Sequence, residues 1–281
     1  MRIKRFKKRY AAVLALAVAG AVAVAGIAMA SGESTVTMNV TPSSLAPPGT
    51  GHTPVTRLNV HTHTTYTNPG NVNPGGATER AQLYFDDDIR INTNAVPKCQ
   101  TSQLSGNITM KTAMARCGAS RISTSAAPLS TAQASVNGAF NINGCVIIFN
   151  GAGTNAEILL FTRVNVSQAN PNITCANAGS NEQGNTSILL KGDLKANPSP
   201  QAADFADPDN CSAPIRNGCQ LDVNNITDTA TIPLTDFNAF VQKGSFIAAR
   251  CDDTPKALNL KVKFTYNDGT VDNRSASKAC T

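Results

Sequence analysis

Ten residues constrain this chain more than any others. In Ala257–Tyr266, the side chains Leu258, Leu260, Val262, Phe264 and Tyr266 alternate with Asn259, Lys261, Lys263 and Thr265. Successive side chains point to opposite faces of a pleated backbone, so this pattern specifies a strand with one buried and one wet face. Asn267-Asp268-Gly269 follows and suits a hairpin turn, with Gly at the left-handed position. A strand over 246–251 precedes it and ends in Cys251, and the strand after it leads to Cys280. The C-terminal piece therefore reads as an antiparallel meander stapled at its edges.

Shorter stretches of the same kind recur upstream. Strands are expected at 34–40, 55–66, 81–92, 120–126, 134–140, 145–150, 157–166, 187–194, 229–234 and 237–241, separated by Asn-, Gly- and Pro-rich turns. The acidic run Asp86-Asp87-Asp88 interrupts one of them, as a bulge would. A single helix is expected over 108–117, capped by Thr109 and stopped by Gly118, with Met110, Ala113, Met114 and Cys117 on one face. The expected fold is all-β: an antiparallel β-sandwich-like domain with one short helix and disulfide staples.

Residues 1–30 read as a signal peptide. Six basic residues (Arg2, Lys4, Arg5, Lys7, Lys8, Arg9) precede an apolar run over 11–30, and Ala28-Met29-Ala30 offers a small-residue cleavage site before Ser31. The alternative is an uncleaved anchor, since about twenty apolar residues span a bilayer. Removing the leader leaves 18 basic residues against 18 acidic ones, so the excess of +6 belongs to the export signal. A neutral remainder gives no electrostatic reason to expect nucleic acid as a partner. No second apolar stretch is long enough to span a membrane. Residues 31–281 then form one secreted, extracellular or cell-surface domain. Within it, 31–54 supplies a strand and a Pro/Gly-rich linker, and 195–219 forms a long loop insert.

Export changes the meaning of the cysteines. The chain has eight: Cys99, Cys117, Cys145, Cys175, Cys211, Cys219, Cys251 and Cys280. An even number in an exported chain implies disulfides, and no C-x-x-C pair suggests zinc. Eight cysteines can pair in about a hundred ways. Nearest neighbours are the expected partners: Cys99–Cys117, Cys145–Cys175, Cys211–Cys219 and Cys251–Cys280.

Several stretches resemble a family of secreted actinobacterial proteins of the Thermoleophilia type. They are Phe85-Asp86-Asp87-Asp88-Ile89-Arg90-Ile91-Asn92, Pro97-Lys98-Cys99, Ala113-Met114-Ala115-Arg116-Cys117-Gly118 and Phe149-Asn150-Gly151. Further on come Leu234-Thr235-Asp236-Phe237-Asn238, Ala249-Arg250-Cys251 and Phe264-Thr265-Tyr266-Asn267-Asp268-Gly269-Thr270. The resemblance implies export and a β fold. No activity is established for that family, so no functional residue carries over. The histidines near residue 60 and the cysteines from Cys145 to Cys219 stand outside the shared pattern.

Candidate chemistry is sparse. His61 and His63, two apart on a strand, put both imidazoles on one face, which is half of a Zn or Cu site that His52 or a distant carboxylate would complete. The bland reading is two exposed histidines on a Thr-rich strand. Asp86, Asp87 and Asp88 offer oxygen ligands to Ca²⁺, yet lack the spacing of an EF-hand, and Arg90 beside them suggests an ordinary ion pair. With no Trp, Tyr66 is the one plausible sugar platform. The sequence has no G-x-S-x-G elbow and no H-E-x-x-H helix, and no carboxylate pair is singled out for glycoside hydrolysis. The expectation is a non-enzymatic structural or adhesive module, without a required cofactor, meeting a cell-envelope component or glycan. The alternatives are a carbohydrate- or calcium-linked binding domain and a secreted hydrolase.

Overall fold

The computed structural model describes residues 32–47, 51–66, 77–123, 130–136, 140–153, 156–165, 175, 184–195, 215–217, 219–226, 234–251 and 257–280. The leader expected at 1–30, Cys211 and most of 195–219 lie outside them.

Strands dominate. The first five are β1 (Gly32–Thr41), β2 (Thr53–Pro54), β3 (Arg57–Tyr66), β4 (Thr78–Phe85) and β5 (Ile89–Asn92). After α1 (Met110–Cys117), the one α-helix among the described residues, come β6 (Ser130–Val136), β7 (Phe140–Gly151), β8 (Glu157–Val164), β9 (Thr186–Lys195), β10 (Ile215–Asn217) and β11 (Gln220–Val223). The chain closes with β12 (Leu234–Val241), β13 (Ile247–Ala249), β14 (Ala257–Tyr266) and β15 (Val271–Ala279). Eleven strands form one sheet in the order β1-β3-β12-β6-β7-β8-β9-β11-β4-β14-β15, and four form a second, β10-β5-β13-β2. The ladders within both sheets are antiparallel.

The all-β class expected from the sequence is what the chain builds. Its layers are opposite walls of the large sheet, which curls until its outermost strands lie side by side as a nearly closed barrel. At this seam the Ser34 N–H of β1 donates to Asp272 Oδ2 of β15 at 2.9 Å. The Ser34 hydroxyl bonds both Thr64 Oγ1 and the Tyr266 hydroxyl, each at 2.9 Å. Arg274 Nε then holds Asp272 Oδ1 at 2.8 Å.

Alternation along each strand fills the barrel. Strand β14 is buried at every second position, as its sequence requires. The interior core unites Val36, Met38 and Val40 of β1 with Leu58 and Val60 of β3, Ile158 and Leu160 of β8, and Leu258, Leu260, Val262 and Phe264 of β14. The small sheet adds Ile89, Ile91, Ile247 and Ala249 to the same core. It covers the end of the barrel where β4 and β12 finish and β3 begins.

A second core lies on the outside of β7 and β8. Ile147, Phe149, Leu159 and Phe161 point outward there and are covered by Met110, Ala113 and Cys117 of α1. That is why β8 is buried at all eight positions, without alternation. Thr109 caps α1 by accepting from the Thr112 N–H at 3.0 Å. Gly118 stays right-handed (φ −59°), and the chain tightens into a 3-10 turn over Gly118–Ser120.

Three expected disulfides are present: Cys99–Cys117, Cys145–Cys175 and Cys251–Cys280. Cys219 is also bridged, and Cys211, its expected mate, lies outside the described residues. The first bridge hangs the end of α1 on β7, because the Cys99 N–H donates to the Asn150 carbonyl at 2.8 Å.

Two expectations are corrected. Residues 81–92 are not one interrupted strand: β4 belongs to the barrel and β5 to the small sheet, with a tight turn between them. The cause is Asp86, whose Oδ1 accepts the Asp88 N–H at 3.0 Å and so competes with the ladder. The segment 195–219 is not all loop, since Ile215–Asn217 pairs with Ile89–Asn92.

Candidate functional site

The barrel interior holds a cavity of about 120 Å³. Leu58 and Val60 of β3, Phe85 of β4, Leu160 of β8 and Phe264 of β14 are among its walls, and Ile91 and Ile247 of the small sheet roof it. Two hydroxyl-bearing residues, Thr62 and Thr78, are the polar members of the lining, and no charged residue lines it. Each wall follows from strand alternation, which turns the apolar member of every pair inward. Gly192 of β9 leaves room for the lining residue Leu221, whose Cδ1 a Cβ there would meet at 2.7 Å. Such a chamber exposes almost no polar surface to water. A void of this size and polarity stays dry and accepts small apolar molecules.

The opposite face of β3 is polar. His61 and His63 both face outward, as their spacing predicts. The partner that the sequence left open is Asp236 of β12, the cross-strand neighbour of His63. Asp236 Oδ2 lies 2.7 Å from His61 Nε2 and 3.4 Å from His63 Nδ1. The row continues with Asn59, whose Nδ2 donates to Asn238 Oδ1, and with Gln133, whose Nε2 donates to Asn143 Oδ1 at 2.7 Å. Arg57 ends it, its guanidinium 4.3 Å from the centre of the Phe240 ring. His52 lies elsewhere. Both of its ring nitrogens are enclosed without a hydrogen-bond partner among the described residues. Burial, with Arg90 and Arg250 nearby, lowers its pKa to about 4.

Asp86, Asp87 and Asp88 do stand together, one oxygen of each within 4.8 Å of the others. They are largely occupied in building the turn. Asp86 Oδ2 accepts from the backbone and side-chain amides of Asn259, at 2.8 and 3.1 Å. Asp88 is ion-paired with Arg250, the residue that follows β13. Burial, reinforced by the Asp87 carboxyl, pushes Asp86 up to about 7 against the pull of the Asp88 and Asn259 amides.

A further cluster was not visible in the sequence. Asp222 of β11, 1% exposed, receives Arg80 Nε and Nη2 at 2.8 and 2.7 Å and Lys195 Nζ at 2.8 Å. Burial alone would raise its pKa, but the hydrogen bonds from Arg80 and Lys195 outweigh that and hold it below the usual carboxylate range. Tyr66 closes β3 opposite Gly32, and its side chain lies outside the described residues. Tyr266 is core, as expected from its strand, with no exposed surface.

The chain matches no known family model, and no curated protein is similar enough to count as a relative. No helix among the described residues is long and apolar enough to cross a membrane.

Proposed function

We propose that this is an exported, non-enzymatic binding module of the extracellular space or cell envelope, and that its barrel receives a small uncharged apolar ligand. The observation that carries the reading is the interior chamber of about 120 Å³, walled almost wholly by aliphatic and aromatic surface. A ligand fitting it has the bulk of one aromatic ring or a short alkyl segment and no polar group that needs a partner. The bridged cysteines support an oxidising environment. The clustered ionisable groups near Asp86 and Asp222 are engaged in turns and ion pairs, which supports binding over catalysis.

The test is thermal. A ligand that binds only the folded state raises Tm by mass action. Benzene is expected to raise Tm of the wild-type protein, and Ala81→Leu, which fills the chamber, is expected to abolish the rise. An unchanged wild-type Tm at saturating benzene overturns the reading.

A structural or adhesive role through the outer surface is the second reading. One observation favours it: the amide and imidazole row from Gln133 to Asn59 across β6, β12 and β3, which presents hydrogen-bonding groups to a glycan or envelope polymer. Substitutions in that row would then reduce retention on isolated envelopes, whereas Ala81→Leu would not.

A further inference from the structure

Building on the adhesive reading of the outer surface, we propose that the wall formed by β1, β3, β12, β6 and β7 is a docking surface for a neutral polysaccharide chain. These five strands are consecutive neighbours in the large sheet.

The wall is set apart by its lack of charge. None of the five strands contains a lysine, and their formal charges at neutral pH are Glu33, Arg57 and Asp236. Glu33 lies opposite Thr65 and Arg57 opposite Thr41, so these two stand at opposite ends of the β1–β3 ladder. Asp236, in the middle, lies against the imidazoles of His61 and His63. Strands β9 and β14, elsewhere in the same sheet, carry Lys191, Lys195, Lys261 and Lys263. Such lysines keep exposed strands soluble and repel other chains. A wall without them leaves its hydrogen-bonding groups open to an uncharged partner.

Register lines those groups up across the strands. One row runs Thr35, His63, Asp236, Gln133 and Asn143, one residue from each strand. The next runs Thr37, His61, Asn238 and Thr131. Thr35 and Thr37 are exposed. Several of the side chains are already fixed in place. Asn59 Nδ2 donates to Asn238 Oδ1 and to the Ala239 carbonyl, and Gln133 Nε2 donates to Asn143 Oδ1 at 2.7 Å. A carboxamide offers two N–H donors and an oxygen with two lone pairs, so one such bond leaves capacity for ligand hydroxyls. Groups ordered beforehand lose less freedom on binding.

This chemistry selects the partner. An acidic polymer is drawn to clustered Arg and Lys, and the wall has Arg57 alone, at its end. An apolar partner needs an exposed apolar patch. Amides, imidazoles and hydroxyls in rows match a chain of neutral hydroxyls. The Phe240 ring, 6% exposed beneath Arg57, offers no stacking platform, so the contact is made by hydrogen bonds. Each of these is weak in water, and a long chain gathers many of them. Five strands at about 4.8 Å spacing extend the rows over roughly 19 Å, room for several sugar rings.

The experiment is native affinity electrophoresis of the purified protein in gels containing dextran, galactomannan or mixed-linkage β-glucan, with alginate as the acidic counterpart. Retardation by at least one neutral polymer is expected, with none by alginate, and it should persist at about 0.5 M salt, where exposed charges are screened. Asn238→Ala and Gln133→Ala should each lower the affinity severalfold, and the double variant by about tenfold or more. Melting curves confirm that these surface variants fold. Lys263→Ala, on β14, should behave as the wild type does. No retardation by any of the three neutral polymers, retardation by alginate that salt abolishes, or wild-type mobility of the double variant would each overturn the assignment. Retention on isolated envelopes alongside any of these results leaves adhesion standing and removes the neutral polysaccharide alone, whereas loss of that retention removes both.

Discussion

Ser34 and Tyr266, 232 residues apart, share a hydroxyl–hydroxyl hydrogen bond of 2.9 Å inside the protein, where the first strand meets the last hairpin. The bond links the strand that begins the large sheet to the hairpin that ends it. Since Tyr266 is fully buried, its hydroxyl has no water to turn to if Ser34 is lost.

Removing that bond is expected to weaken the whole barrel. Tyr266→Phe should cost about 1 kcal/mol of stability, the net worth of one buried neutral hydrogen bond. Tyr266→Ala, which also empties a large volume, should cost about 3–5 kcal/mol. Urea titrations compare the two. A cost for Tyr266→Phe indistinguishable from zero would mean that the seam does not depend on this contact.

Enlarging the chamber gives a second outcome. Leu160→Ala should destabilise the protein by about 2–5 kcal/mol, the range for truncating a buried leucine. Benzene should recover part of that loss, because it refills the enlarged space. Differential scanning calorimetry with and without benzene reads both effects.

Two groups, buried Asp86 and half-buried His52, give opposing pH dependences. Asp86 is pushed up to about 7 in the folded protein from an ordinary 3.8. Its protonated form is the one the fold favours, so its contribution is complete below about pH 4 and is lost as pH rises towards 7. His52 is lowered to about 4 from 6.5, so the fold favours its neutral form. Its contribution is complete above about pH 6.5 and is lost as pH falls towards 4. The two trends partly cancel between these limits. Asp86→Asn should therefore leave a protein whose stability rises with pH across 4–6.5, and His52→Ala one whose stability falls. Melting curves at half-unit pH steps separate them.

The disulfide between Cys251 and Cys280, 29 residues apart in sequence, closes the C-terminal meander on itself. Replacing both cysteines with alanine should cost about 2–4 kcal/mol. Thiol titration of the unfolded, unreduced wild type should find no free thiol, since no cysteine among the described residues is unpaired.

What could be read in advance was local. The period-two pattern of Ala257–Tyr266 specifies β14, and Asn267-Asp268-Gly269 forms the expected turn, with Gly269 at φ +82° and Thr270 bonded to Asp268. The Thr109 cap and three nearest-neighbour disulfides follow from short-range chemistry in the same way. What escaped was set by pairing between distant strands. Asp236 is 175 residues from His61, and only the register of β12 on β3 brings them together. The same holds for Asp222, 142 residues from Arg80. Asp86 misled the reading for another reason: its side chain replaces a ladder bond with a turn bond, which alternation cannot reveal. The chamber was hidden as well, because each strand shows an apolar face but not how far the facing walls stand apart.

The side-by-side packing of β1 and β15 also bears on how the folded chain avoids aggregation. A sheet with open margins is a template on which another chain can add strands and begin a fibril. Here the two long margins face each other, and β15 carries Asp272, Arg274 and Lys278, charges that discourage a docking strand. The small sheet reaches the same end by brevity: its outermost strands, β10 and β2, are three and two residues long, too short to template an intruder. The architecture that encloses the interior thus also denies neighbouring copies a foothold for polymerisation.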